Sequence, residues 1–165
     1  MAHQLLEAGL TTMEFARGNT FSFIEEVPED KWCHQPIPDC NHTAWIVGHL
    51  AATDDYFLST LSGRPSCLPE RFKELFAMGS KPVGDSSAYP SPSELKAKLS
   101  GCREDLVAWL KSLDETKLLS PLPGDLANFA PSHAALCPVL AWHEGLHGGQ
   151  LTMIRKALGI APKFG

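Results

Sequence analysis

The sequence has no long uninterrupted hydrophobic run and no basic arm or patch. Its first segment, Met1 to Ile24, has no basic residues ahead of an apolar stretch, and Glu7 and Glu14 interrupt it, so we expect neither a signal peptide nor a membrane span. A net charge of -5 and a pI of about 5.8 argue against nucleic-acid binding. We therefore expect a cytoplasmic protein that has neither nucleic acid nor membrane as a partner.

Patterns of β-structure, of internal repeats and of disulfide frameworks are also absent. The five cysteines are odd in number and irregularly spaced, which is typical of a reducing compartment, and we expect Cys67, Cys102 and Cys137 to be small buried side chains. The apolar fraction is 44% and the charged fraction is 20%, the balance of an ordinary folded protein. A chain of 165 residues with no linker is expected to form one domain, 1–165.

Apolar residues that recur at steps of three and four predict four long helices. The predicted ranges are His3 to about Glu26, Asn41 or Thr43 to about Ser62, Ser93 to Leu113 and about Ser132 to Gly159. Asn41 or Thr43 is expected to cap the second helix, and Pro138 to kink the fourth or mark its start. The long connections are rich in proline, and one of them includes a short helix at Leu68–Met78. This pattern predicts an all-α four-helix bundle with long crossover loops.

A pair of histidines, His143 and His147, lies on the inward-facing stripe of the fourth predicted helix. Residues four apart are neighbours on one helix face, so both imidazoles can reach a single metal ion. The alternative is a structural role, in which both are core histidines that hydrogen-bond to other groups. Burying two adjacent imidazoles leaves polar nitrogens to satisfy, whereas a divalent ion takes one nitrogen from each directly. The pair therefore favours a metal site.

A third ligand is available on the second predicted helix. Its inward stripe reads Trp45, His49, Ala52 and Tyr56, so His49 is predicted to face the core from a different helix. The segment His143 to His147 also matches the zinc-protease motif H-E-x-x-H, but residues 148–165 contain no Asp, Glu, His or Cys to supply a downstream ligand. The remaining ligand must therefore lie upstream of the pair.

Two short motifs together carry a resemblance to a known family. The segment from Asn41 to Leu50, and the later pattern His143-x-x-x-His147-x-Gly149-Gln150-Leu151 followed by Arg155 and Leu158-Gly159, resemble the DinB/YfiT-like superfamily. The resemblance extends from the first helix to Gly159. It implies a four-helix bundle in which one histidine of the second helix and two of the fourth bind a metal ion. Matched position by position, the ligands it implies are His49, His143 and His147.

The resemblance also implies an activity. Members include transferases or isomerases that use a low-molecular-weight thiol, such as bacillithiol or mycothiol, and others described as metal-dependent hydrolases. The leading hypothesis is a thiol-dependent transferase in which one divalent ion (Zn, Ni or Fe) activates the thiol for reaction with a small-molecule substrate. The alternatives are a hydrolase with metal-bound water as nucleophile and Glu144 as base, and a non-enzymatic metal-binding or interaction protein. Homodimers are common in such bundles.

Further residues are candidates for the pocket. Trp45, Tyr56 and Trp142 are near the ligand turns and either line the pocket or fill the core. Gln150 and Arg155 are candidate contacts to substrate or to the ligands, and Glu144 is either a base or a surface carboxylate. A second metal site is conceivable in the loop that holds Cys33, His34, Cys40 and His42, but its seven-residue cysteine gap does not match structural zinc sites. We interpret that loop as packing on the bundle.

Overall fold

The computed structural model describes residues 1–164 and confirms the all-helical prediction, with no strand in that range. Four long helices form the bundle, and two short ones lie in the connections. Their bounds are α1 Ala2–Glu25, α2 Thr43–Ser62, α3 Glu70–Phe76, α4 Pro92–Lys111, α5 Glu115–Leu119 and α6 Leu136–Ala157. Short 3₁₀ turns occupy Glu29–Lys31, Ser86–Ala88 and Gly124–Asn128.

The bundle is built from two helix pairs, α1 against α6 and α2 against α4. Buried apolar residues form one cluster at each end. Helices α1 and α6 run from the first cluster towards the second, and α2 and α4 run the opposite way. Because α2 and α4 are parallel, residues 63–91 must cross back along the bundle, and this crossover carries α3 against α2.

Two ends of the long helices have the usual capping residues, and the start of α2 is an exception. Gly63 ends α2 with a φ of 72°, the left-handed conformation that favours glycine. Ser91 caps α4 by accepting a hydrogen bond from Glu94 N at 3.2 Å. The exception is the start of α2, where neither Asn41 nor Thr43 is the cap. His42 takes that role, and its Nδ1 accepts from Trp45 N at 3.1 Å.

Pro138 is the third residue of α6 and therefore begins the helix instead of kinking it. The N–H groups of a first turn have no partner within the helix, so proline costs nothing there. The helix begins four residues later than the predicted Ser132. Trp32, in the loop between α1 and α2, packs in the second cluster, and its indole donates to Val27 O at 3.2 Å.

One prediction about the cysteines is wrong. Cys102 and Cys137 are buried, but Cys67 is exposed, because it lies in the turn after α2 and not on a helix stripe. No helix among residues 1–164 combines the length and the apolar character needed to cross a membrane.

Candidate metal centre

Three histidine rings converge near the second cluster. The Nε2 atom of His143 lies 3.3 Å from Nε2 of His49 on α2 and 3.1 Å from Nε2 of His147 one turn along α6. One ligand atom from each of the three residues lies within 4.8 Å of the others, the one such group of three or more metal-binding side chains in the described residues. The structure thus brings together the three residues that the sequence analysis selected.

The other ring nitrogens determine which atoms carry protons. His49 Nδ1 lies 2.8 Å from the carbonyl oxygen of Phe76, and His147 Nδ1 lies 3.0 Å from Oε1 of Gln150. Both partners are acceptors, so each Nδ1 donates, and in a neutral ring Nε2 then keeps a free lone pair. Two lone pairs therefore point at His143.

This arrangement fits a cation better than it fits hydrogen bonding alone. The Nε2 atom of His143 has at most one proton, so it cannot satisfy both His49 and His147. Ligand nitrogens about 2.0 to 2.1 Å from a tetrahedral zinc ion would be roughly 3.3 Å apart. The observed separations of 3.1 and 3.3 Å match that value closely. The residues present therefore fit one divalent ion with three protein nitrogens.

Burial keeps the three histidines neutral. It lowers the pKa of His143 to about 4, assisted by the neighbouring His49, and it lowers the pKa of His147 to about 4. Burial also lowers the pKa of His49. Metal binding requires the unprotonated ring nitrogen, so these shifts leave the histidines ready to bind at neutral pH.

The position of His49 depends on the close approach of α2 and α3. A Cβ added at Gly48 would overlap the ring of Phe76, whose carbonyl oxygen accepts the proton of His49. Trp45 stacks on His49 with ring centroids 4.6 Å apart and an interplanar angle of 10°. Its indole donates to Ser80 Oγ at 2.8 Å, which ties the crossover to this end of α2. Trp45 therefore lies against His49 and belongs to the second buried cluster.

Glu144 lies beside the centre. Its environment fits neither of the two predicted roles, a catalytic base or a surface carboxylate. It is 1% exposed, so the surface-carboxylate interpretation is wrong. Its oxygens accept from Arg17 Nε at 2.6 Å and from Arg103 Nη2 at 2.9 Å. Two guanidinium groups therefore hold the carboxylate, which argues against its acting as a general base.

These residues belong to a buried network that contains one charged side chain from each long helix. Asp54 accepts from Arg17 Nη2 at 3.0 Å and from Arg103 Nε at 2.9 Å. The guanidinium of Arg17 also donates to Leu99 O. Burial disfavours the charged form of Arg103, but Asp54 and Glu144 outweigh that effect and raise its pKa. The network lies between the two apolar clusters, and the charges of its two positive and two negative groups cancel.

The network residues Arg17, Asp54 and Arg103 were not predicted from the sequence, although a signal was present. Each of the four network residues follows a buried apolar residue by four positions, and therefore lies on the stripe that its helix buries. The apolar residues are Met13, Leu50, Leu99 and Leu140. Charged residues are rarely buried without a partner, so four such positions with opposite signs predict ion pairs.

Two predicted contacts have different outcomes. Gln150 contacts one of the three histidines: its Oε1 accepts from His147 Nδ1 and also from Asn41 Nδ2 at 3.1 Å, so it holds the orientation of the His147 ring. Arg155 is 2% exposed and donates instead to Phe23 O, Ala161 O and Glu26. It lies eight residues beyond His147, about 12 Å along the helix axis. Arg155 therefore anchors the C-terminal segment and does not contact the centre.

Two predicted aromatic residues lie away from the centre. The inward position predicted for Tyr56 is wrong, because its side chain is 53% exposed. Leu50, Asp54 and Leu58 mark the buried face of α2, and Tyr56 is about 200° around the helix from its neighbours on that face. Trp142 is 65% exposed and lines a groove between α1 and α6 that none of the three histidines lines.

The loop with cysteine and histidine has a structural role. His42 is fully buried, with Nδ1 capping α2 and Nε2 3.0 Å from Val83 O, so both nitrogens have partners within the chain. Cys33 and Cys40 are half-buried free thiols. The interpretation of this loop as packing on the bundle agrees with these contacts.

The comparison with known families agrees with this fold. The family model of the DinB superfamily matches residues 12–151, which include α2, α4, parts of α1 and α6, and the three histidines. No curated protein matches the chain. The chain therefore belongs to the DinB superfamily.

Proposed function

We propose that this protein is a metal-dependent transferase that activates a low-molecular-weight thiol and transfers it to a small-molecule electrophile. The observation that supports this most is the convergence of three Nε2 atoms, two of which have their lone pairs fixed by Nδ1 hydrogen bonds. Three protein nitrogens leave room for an exogenous ligand, as catalytic sites require and closed structural sites do not. His49, His143 and His147 are the proposed ligands.

A divalent ion held by these residues would act as a Lewis acid and lower the pKa of a thiol or water that binds to it. The protein residues would position the ion. Phe76 and Gln150 fix the tautomers of His49 and His147, and Trp45 covers the face of the His49 ring. Zinc, nickel and iron all accept nitrogen ligands of this kind.

The surroundings of Glu144 support a thiol, and not water, as the nucleophile in this proposal. A hydrolase of the type predicted from H-E-x-x-H needs a free carboxylate beside the ligands, and this carboxylate is held by Arg17 and Arg103. No other acidic side chain joins the histidines in the described metal-binding group. A low-molecular-weight thiol loses its proton on binding a metal ion, so thiol transfer does not depend on a protein base.

Metal content is the first test. Protein purified without added metal, then equilibrated with Zn, Ni or Fe and desalted, should retain one equivalent by elemental analysis. His49→Ala should lose most of it, whereas His3→Ala, at an exposed position of α1, should retain it. An unchanged metal stoichiometry in His49→Ala would show that His49 is not a ligand.

Activity distinguishes the proposal from its alternatives. Metal-loaded protein is assayed with a chromogenic electrophile and a panel of thiols that includes bacillithiol, mycothiol, glutathione and cysteine, and in parallel with ester and amide substrates. We expect turnover that requires both thiol and metal and that His49→Ala abolishes. Turnover without any thiol would favour a hydrolase, and a metal-loaded protein inactive in every assay would favour a non-enzymatic metal-binding protein.

We retain a cytoplasmic location and a homodimer as further proposals. Support for the dimer comes from the face formed by α1 and α6, where Phe15, Trp142 and Met153 are 70%, 65% and 61% exposed beside a groove of about 440 Å³. Exposed apolar surface of this kind is typical of association sites. Light scattering after size-exclusion chromatography should give twice the chain mass, and Trp142→Glu should reduce it to one chain. A monomeric unsubstituted protein would contradict the dimer.

A further inference from the structure

Two cysteines outside the metal centre lie within contact distance. Cys67 is exposed in the turn between α2 and α3, Cys102 is 2% exposed on α4, and their Sγ atoms are 3.8 Å apart. A disulfide bond is about 2 Å long, so the sulfurs must approach by less than 2 Å. We propose that Cys67 and Cys102 are a redox pair that forms an intramolecular disulfide when the protein meets a low-molecular-weight disulfide.

The turn that carries Cys67 is held over α4 by a buried carboxylate. Asp55 is 3% exposed on α2 and accepts hydrogen bonds from Cys67 N at 2.9 Å and from Ser66 Oγ. Ser66 Oγ also accepts a hydrogen bond from Leu68 N at 3.1 Å, so the backbone is held on both sides of Cys67. Rotation of the Cys67 side chain is the movement that we expect to close the gap. The pair is therefore preorganised for bond formation.

The difference in exposure determines the order of the two steps. The thiolate of Cys67, which solvent reaches, attacks one sulfur of the external disulfide, breaks its S–S bond and releases one thiol. The thiolate of Cys102 then attacks the sulfur of Cys67 and releases the second thiol. The two protons from the cysteines end on the two released thiols, and two electrons pass from the cysteines to the external disulfide.

The environment also determines the pH dependence of the first step. Burial, together with the adjacent Asp55 carboxylate, raises the pKa of Cys67, and burial raises the pKa of Cys102 further. The attacking species is the thiolate, so oxidation should be slow near neutral pH and should accelerate as the pH rises.

The bond would join the beginning of the crossover to α4. The same crossover carries α3 and therefore the Phe76 carbonyl that holds His49. A cross-link restricts the unfolded chain more than the folded one, so the oxidised protein should unfold at a higher temperature than the reduced protein.

The test uses the full-length protein and glutathione disulfide. Reduced protein is incubated with excess reagent at pH 7 and pH 8.5, alkylated, digested and analysed by mass spectrometry. We expect a linked peptide pair containing Cys67 and Cys102, the loss of two of the five thiols, faster reaction at pH 8.5 and a raised thermal midpoint. Cys102→Ala should stop at a glutathione adduct on Cys67, and a Cys33→Ser/Cys40→Ser variant should still form the link.

Three results would overturn the proposal. They are a glutathione adduct on Cys67 that persists while Cys102 stays reduced, a disulfide between two chains through Cys67, and no loss of thiols at pH 8.5. The Cys102→Ala variant is the control for accessibility, because a glutathione adduct on its Cys67 shows that the reagent reaches this residue. None of these measurements depends on the metal or on the proposed transferase activity.

Discussion

Replacing Glu144 by glutamine should destabilise the fold strongly, because it leaves a buried network with two positive groups and one negative group. The carboxylate accepts from Arg17 Nε at 2.6 Å, from Arg103 Nη2 at 2.9 Å and from Arg17 Nη2 at 3.3 Å. A glutamine keeps one acceptor oxygen, but its NH₂ group faces guanidinium donors. The change therefore removes both a charge and an acceptor from a site that is 1% exposed.

The magnitude follows from the burial of the network. Removing one partner of a buried ion pair typically costs about 3–5 kcal/mol, because the remaining charge stays buried without compensation. Whole domains are stable by about 5–15 kcal/mol, so this loss is a large fraction of the total. For a chain of this size it corresponds to a fall in the thermal midpoint on the order of 10 °C.

Urea unfolding followed by circular dichroism at 222 nm measures the free energy of unfolding directly. The matched control is Glu14→Gln, an exposed carboxylate on α1, for which we expect a change within about 0.5 kcal/mol. A double variant, Glu144→Gln with Arg17→Met, restores charge balance and should recover part of the loss, as a double-mutant cycle would detect. If Glu144→Gln unfolds like the unsubstituted protein but loses turnover, the carboxylate acts in the chemistry and the structural role argued above is refuted.

Three further predictions concern the proposed ligands and the residues that position them. Removing a ligand by His49→Ala should abolish tight metal binding in equilibrium titration while helix content is retained, and metal affinity equal to that of His3→Ala would contradict the assignment. Gln150→Ala should weaken metal binding about 10- to 100-fold, since His147 loses the acceptor that orients its ring, and unchanged affinity would dismiss that role. Gly48→Ala should lower the free energy of unfolding by about 1–3 kcal/mol and weaken metal binding, because the new methyl group overlaps the Phe76 ring. Gly145→Ala, which has open space around it, should change neither the stability nor the metal affinity.

The four long helices were predictable because each buries a continuous stripe at helical spacing. Helix ends with a strong local signal, such as Gly63 and Ser91, were predictable. The cap at His42 was not, because histidine is not among the residues that usually cap helices and its place was decided by the crossover that covers it. Short helices such as α5 carry too few residues for a periodic pattern to stand out.

The exposure of individual side chains was harder to predict than the helices themselves. The predicted stripe of α2 contains Trp45, His49, Ala52 and Tyr56, and of these four side chains Tyr56 is the exposed one. Cover for His49 comes from α3 and α6, elements far away in the sequence, whereas nothing equivalent covers Tyr56. Periodicity within one helix cannot report which of its faces a distant segment will bury.

The ion network and the histidine centre are best understood as parts of one arrangement, because they use the same two helices. On α2, His49 and Asp54 are five residues apart, and on α6, His143 and Glu144 are adjacent. The two carboxylates bind the same guanidinium of Arg103, with Asp54 Oδ1 at 3.1 Å and Glu144 Oε2 at 2.9 Å from its Nη2, so α2 and α6 are held at one separation. That separation also sets the 3.3 Å between His49 and His143. Ion pairs tolerate little change in register, whereas apolar side chains repack, and a charged layer next to the centre therefore fixes the ligand distance more closely than an apolar layer would.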